Sequence, residues 1–384
     1  MNYAERVDAI FSFDEPDQVP VVDWGYWDEI FERWPEEGLP QELVQVPEGD
    51  FIPGVDLRTV WGEVYKRKVR THQMLNYFGA EPWLAQLTLP IYGGIYPFFE
   101  EEVLEEREHT LIVRNRAGVV LQKPKHGTSF PGFIEFPVKT QADYEALRAT
   151  RLDPDTPGRY VRGWDTYARK LMEQNRPLVI SLTGFFGFPR NLMGLENLAM
   201  AYYLDPDLVQ MMVEDHCAFV KQLLAPALDQ FPIRFALIWE DMAYNHGSLV
   251  SPETFHEFMT PYYLEVTDFL RQKGVEHILV DSDGNIVELS ALFIEAGVDG
   301  VYPLEIASGS DPVVMRERYP DLVMVGGIDK RVLTIGPEAI KQELERVVPV
   351  VEKGGYLPML DHLVPSDVPL ANYEYYLQCA RELF

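Results

Sequence analysis

The chain has 384 residues and only two cysteines, Cys217 and Cys379. Both fall in helix-like segments, which argues against a disulfide framework and for a reducing compartment. Positive charge is also scarce: 33 Lys and Arg stand against 61 Asp and Glu, a formal net charge of −28. Nucleic acid and anionic membrane surfaces call for a basic face, so neither is an expected partner. No apolar run approaches the ~20 residues that a bilayer span needs. The opening stretch "MNYAERVDAIFSFDEPD" carries charges where a signal peptide needs an apolar core, so a cytoplasmic location is expected. There is no repeat of 20–50 residues, no low-complexity tract and no glycine-rich phosphate turn after the first apolar run.

What is present is an ordinary globular composition, 47% hydrophobic and 24% charged. From about residue 177 one rhythm repeats: a short apolar run, polar residues, then a helix-like stretch. The runs are "PLVISLTGFF" (177–186), "RFALIWEDMA" (234–243), "HILVDSDG" (277–284), "DGVYPLE" (299–305), "LVMVGGIDK" (322–330) and "GYLPMLDH" (355–362). They are apolar almost throughout instead of alternating, as strands covered on both faces are. Helix starts stand between them, with Asp205, Ser251 and Asp311 each placed before a proline. "VPVVDWG" (19–25) and "WLAQLTLP" (83–90) supply two more candidate strands. Alternating strands and helices imply a parallel sheet, and seven or eight strands over this length imply a (β/α)8 TIM barrel as one domain spanning residues 1–384. The segment 101–127 breaks the rhythm and predicts a β-hairpin insertion that turns at "NRAG".

The polar residues concentrate where these runs end: Trp24, Arg190, Glu240, Asp241, Asp281, Asp283, Glu305, Asp329, Lys330, Asp361 and His362. In a parallel barrel those positions share one rim, which is where barrel enzymes keep their active sites. In "HILVDSDGN" the carboxylates Asp281 and Asp283 stand two apart, so both face one side and Ser282 the other. Two such acids share a cation or a proton, because unrelieved repulsion raises one pKa. His362 would add a nitrogen ligand, and Glu240 a fourth ligand or a general acid. A calcium loop of the EF-hand type does not fit, since Gly284 is fourth in the run instead of sixth and the twelfth-position acid is missing.

Three stretches carry a family resemblance: "GVEHILVDSDGNIVELSALFIEAGVDGVYPLE", "VMVGGIDKRVL" and "GGYLPMLDHLVPSDVPLANYEYYL". In order and spacing they resemble the uroporphyrinogen decarboxylase superfamily over most of residues 175–384, and more loosely before that. The resemblance implies a (β/α)8 barrel that is either a decarboxylase of haem synthesis or a cobalamin-dependent methyltransferase. The decarboxylases carry an arginine-rich stretch after the first strand; here it is "DWGYWDEIFERW", with Arg33 alone. In the methyltransferases a His-x-Cys pair and a later Cys hold zinc. Asp281-Ser-Asp283 and His362 stand at those places. An oxygen-rich site with one imidazole suits polarising an ether oxygen better than activating a thiol. The chain has no Asp-x-His-x-x-Gly corrinoid motif of its own, so a corrinoid would arrive on a separate protein.

The resulting expectation is a metal-dependent methyltransferase, with zinc or another divalent ion on Asp281, Asp283, His362 and Glu240. It would move a methyl group from a small methylated substrate, such as an aryl methyl ether, to a corrinoid protein. Glu240 and Asp283 are the catalytic candidates. Trp24, Tyr26, Trp27, Arg190, Asn191, Glu305 and Lys330 are the substrate-binding candidates. The alternative is a lyase acting on a small carboxylated substrate. A homodimer is compatible with the sequence, which does not fix the oligomeric state.

Overall fold

The computed structural model describes residues 1–125 and 131–384. Its centre is a six-stranded, wholly parallel sheet. Two short strands precede that sheet in the chain, β1 (Val22–Asp23) and β2 (Glu81–Pro82), paired parallel with each other. The sheet itself runs β3 (Val179–Thr183), β4 (Phe235–Trp239), β5 (His277–Asp281), β6 (Gly300–Leu304), β7 (Val323–Ile328) and β8 (Tyr356–Leu360), neighbours in space as in sequence. The pair β1–β2 touches both outer strands through single bridges. Tyr26 bridges to Val364 just beyond β8, and Thr88 bridges to Val179 at the start of β3. Hydrogen bonding therefore does not run continuously round a ring of eight strands.

The sequence explains these strands directly. Every residue of β6, β7 and β8 is buried, which a strand covered by helices on one face and by side chains on the other requires. The helices start where the capping residues stand. Ser251 accepts from the Thr254 amide before the helix Pro252–Phe258, and Asp311 accepts from Val313 before Pro312–Arg318. The long helix Pro206–Gln230 follows Asp205, although that side chain makes no capping bond.

Two expectations are corrected. The run at 83–90 is not a strand: β2 precedes it, and Leu84–Gln86 form a 3-10 turn with Trp83, Leu84 and Leu87 buried. An apolar run does not by itself separate a strand from a buried turn. The segment expected as a hairpin is a four-stranded antiparallel sheet, with strands at Glu102–Glu106, Thr110–Arg114, Val120–Pro124 and Gly132–Glu135. Its middle strands turn at Asn115–Gly118, where Asn115 Oδ1 accepts from the Ala117 and Val119 amides. The expected range ends at 127, so its last two residues lie outside the described residues. Among the described residues no helix is long and apolar enough to cross a membrane.

Candidate active site at the carboxyl edge of the sheet

Because the six strands are parallel, with one register shift between β6 and β7, their carboxyl ends lie along one edge. Asp281 pairs with Trp239 on one side and Tyr302 on the other, and Ile328 pairs with Leu360. The residues just past these ends are the charged ones. Their ion pairs sort them into two groups.

The first group is internally satisfied. Lys330 Nζ lies 3.0 Å from Asp361 Oδ1 and 3.6 Å from Glu305 Oε1. Asp361 is fully buried and also accepts from the Ile306 and Lys330 amides, while Glu305 accepts from Gly284. Arg190 Nη1 holds Asp241 through its side chain at 2.9 Å and its carbonyl at 2.6 Å, with the guanidinium 4.7 Å above the Trp239 ring. Each of these acids has a cation.

The second group is Asp281 and Asp283. Both are half-buried with buried Ser282 between them, and Ser282 Oγ turns inward to accept from the Met242 amide. Asp281 shares a hydrogen bond with the buried Tyr302 hydroxyl. Burial, then repulsion from Asp283, pushes the Asp281 carboxyl well above its ordinary range. Burial, then Glu305 and Asp241, pushes Asp283 up to about 7. The only basic side chain paired with Asp283 among the described residues is His362, with Nε2 3.9 Å from Oδ2. That imidazole is held neutral, its pKa lowered to about 4 by burial and then by Lys330. The contact is therefore not an ion pair at neutral pH, and the ring nitrogen is free to act as an acceptor or a ligand.

Two indoles wall this corner. Trp24 lies 5.1 Å from the His362 ring, and Trp27 stacks on it at 6.4 Å and 24°. Beside them a cavity of about 210 Å³ is lined by Trp24, Arg67, Lys68, Thr71, Gln86, His362 and Leu363. Gly25 keeps it tight: its φ is +125°, and a Cβ there would stand 2.8 Å from Thr71.

Three expected site residues lie elsewhere. Glu240 is fully buried behind the rim. Its oxygens accept from the Phe185, Phe186 and Gly187 amides at 2.8, 2.9 and 2.6 Å and from the Tyr263 hydroxyl. Gly184 permits this, since a Cβ there would fall 2.1 Å from the Glu240 carboxylate. Tyr26 is fully buried among Phe31, Trp34 and Tyr373, and its hydroxyl bonds that of Tyr373 at 2.9 Å. Asn191 is exposed on the helix Gly187–Met193. The sequence reading missed Tyr302, and it missed Arg67 and Lys68. The signal for that pair was a basic run, "YKRKVR" at 65–70, in a strongly acidic chain.

A ligand atom each from Asp281, Asp283 and His362 do not all converge within 4.8 Å. Among the described residues the set that does is Asp8, Glu276 and His277. It lies at the opposite edge, where β5 begins, and Arg234 already supplies its cation through contacts to both Asp8 and Glu276.

The family model for uroporphyrinogen decarboxylase (URO-D) matches residues 110–383. The chain belongs to the uroporphyrinogen decarboxylase family. A curated uroporphyrinogen decarboxylase of Campylobacter lari is 24% identical over 147 residues, which is 35% of this chain. The match spans 39% of that protein's length. Among solved structures, one described as a methyltransferase from Methanosarcina mazei superposes with a TM-score of 0.61 at 13% identity, covering 100% of this chain and 99% of that one. At that identity the likeness is one of fold.

Proposed function

We propose that this family member is a metal-dependent methyltransferase that moves a methyl group from a small methylated substrate, such as an aryl methyl ether, to a corrinoid carried by a separate protein. The architecture that goes with it is a single-domain (β/α)8 barrel closed through the Tyr26–Val364 and Thr88–Val179 bridges, with the sheet at 102–135 as an insertion. The carrying observation is the pair of acids left over on the rim. After Lys330 and Arg190 have paired with their neighbours, Asp281 and Asp283 remain crowded beside a neutral imidazole, their carboxyls held up by burial and by the charge of neighbouring acids, which the Tyr302 hydroxyl and the more distant Lys330 and Arg190 only partly offset.

By donor chemistry two carboxylates and one imidazole suit a divalent cation of the zinc class, which needs deprotonated ligands and a neutral His. Their ligand atoms do not all lie within 4.8 Å of one another here, so an ion would have to draw them together. Asp281, Asp283 and His362 would hold it. Such an ion supplies Lewis acidity toward the oxygen from which a methyl group departs. The chain's own residues do the rest. Trp24 and Trp27 offer flat apolar faces beside His362, where an aromatic ring stacks. Lys330 holds Asp361 and Glu305 in place and so shapes the floor of the rim. Glu240, with both oxygens occupied, pins the turn 184–187 and thereby Arg190. Its role is positioning, not ligation.

A second reading, a lyase for a small carboxylated substrate, draws on Asp283. A carboxyl group pushed up to about 7 retains a proton to donate at neutral pH. The deciding assay mixes the purified, zinc-supplemented protein with a cob(I)alamin-loaded corrinoid protein and methoxybenzenes. Methylcobalamin absorbance should rise and the free phenol should accumulate. Release of carbon dioxide from a carboxylated substrate with no corrinoid methylation would favour the lyase.

A further inference from the structure

The cavity beside His362 has an unusual wall for so acidic a chain. Arg67, Lys68 and Thr71 stand on the helix Tyr65–Phe78, at spacings of three and four that bring them to one face. Arg67 has no hydrogen-bond or ion-pair partner among the described residues. Lys68 Nζ donates to the Ala85 carbonyl at 3.2 Å and sits 5.2 Å over the Trp61 ring, again without an acid. With nearly two acids for every base in the chain, most basic side chains find a carboxylate, as Arg190, Lys330 and Arg346 do. Two adjacent cations left unpaired on one cavity wall repel each other, and an anion between them removes that cost.

A second observation lies in the same cavity. Gln86 is 6% exposed; its Nε2 donates to the Trp24 carbonyl at 2.6 Å, and its Oε1 is buried with no partner. Gln86 thus holds the Trp24 backbone at the cavity wall, and a carboxylate, which brings no donor to Oε1, is left to Arg67 and Lys68. A cavity of about 210 Å³ is too small for a macrocycle with many carboxylates and suits a single ring.

We propose that Arg67 and Lys68 form an anion subsite that holds the carboxylate of a small aromatic substrate, with its ring against Trp24 and its far end toward His362. As a substrate anchor this rests on the methyl-transfer reading; as an anion site it stands on the cavity alone.

The test is calorimetric binding of 3-methoxybenzoate and of 3-methoxybenzamide, its uncharged isostere, to the full chain without any corrinoid protein. The acid should bind at least about 10-fold more tightly than the amide. Arg67→Gln and Lys68→Met should each erase most of that preference while leaving amide binding unchanged, and Arg67→Lys should retain part of it. Circular dichroism melts identify any variant that fails to fold, and Arg67→Lys then carries the comparison. Equal affinity for acid and amide, no binding of either, or acid binding indifferent to all three substitutions would overturn the proposal. Acid binding of the expected pattern without methyl transfer would sink the proposed function and leave the anion site standing.

Discussion

His362 Nε2 and Asp283 Oδ2 face each other at 3.9 Å across the carboxyl edge of the sheet, one after β8 and the other after β5. The contact joins a neutral imidazole to a carboxyl group that is itself crowded by acids. Neither group satisfies the other at that distance, which exceeds a hydrogen bond. The pair is the geometric core of the proposed metal site.

Glu240 should matter for stability more than for chemistry. Glu240→Gln keeps the size but puts an NH2 against backbone amides that already donate, so at least one buried donor loses its acceptor. We expect a loss on the order of 2–4 kcal/mol, as for other broken buried charge-assisted bonds. Denaturant melts measure it. A stability equal to wild type would show that the three amides do not depend on the carboxylate.

Porphyrinogen turnover should be absent. The stretch after β1 presents Trp24, Trp27 and Asp28, and its one arginine, Arg33, pairs with Glu37 and the Ser366 carbonyl. Nothing there meets eight carboxylates. Incubation with uroporphyrinogen under reducing conditions should yield no coproporphyrinogen, and efficient conversion would refute the reading of this rim.

A pH dependence of stability follows from His216. It is 1% exposed, its Nε2 lies 2.7 Å from the Thr183 carbonyl at the end of β3, and it stacks on Phe188 at 4.0 Å. Burial lowers its pKa to about 4, below the ordinary 6.5. The unfolded chain therefore takes up a proton first as pH falls. Stability contributed by the neutral ring is complete above about pH 6.5 and is lost as pH falls toward 4, by on the order of 3 kcal/mol. His216→Gln should flatten the stability curve in that window relative to wild type. Parallel curves would show that His216 does not titrate as described.

Much of this was legible in the sequence, and particular residues show why. The strands β3 to β8 were readable because strands buried on both faces are continuously apolar, and their polar last residues followed from parallel topology. Strand alternation predicts Asp281 and Asp283 on one side and Ser282 on the other, and the burial of Ser282 between two half-buried acids accords with it, although β5 itself ends at Asp281. Glu240 was readable as a strand-end acid, but not as one consumed by three amides, because its partners come from a turn more than fifty residues earlier. Tyr26 was misjudged for the same reason: its neighbour Tyr373 lies 347 positions away. The 3-10 turn at Leu84–Gln86 had the same apolar composition as a strand, and Arg67 was hidden in a helix whose inward face only the fold defines.

The metal is the claim on which the proposed function turns, and elemental analysis after mild dialysis without chelator tests it most directly. The purified chain should hold about one divalent ion, zinc foremost. Asp283→Ala or His362→Ala should weaken its affinity by at least about 10-fold, since direct ligands matter no less than the groups that orient them. His277→Ala, at the opposite edge of the sheet, should leave it unchanged. A wild-type protein that is free of metal and still transfers methyl groups, or metal content that follows His277 instead of His362, would contradict the account.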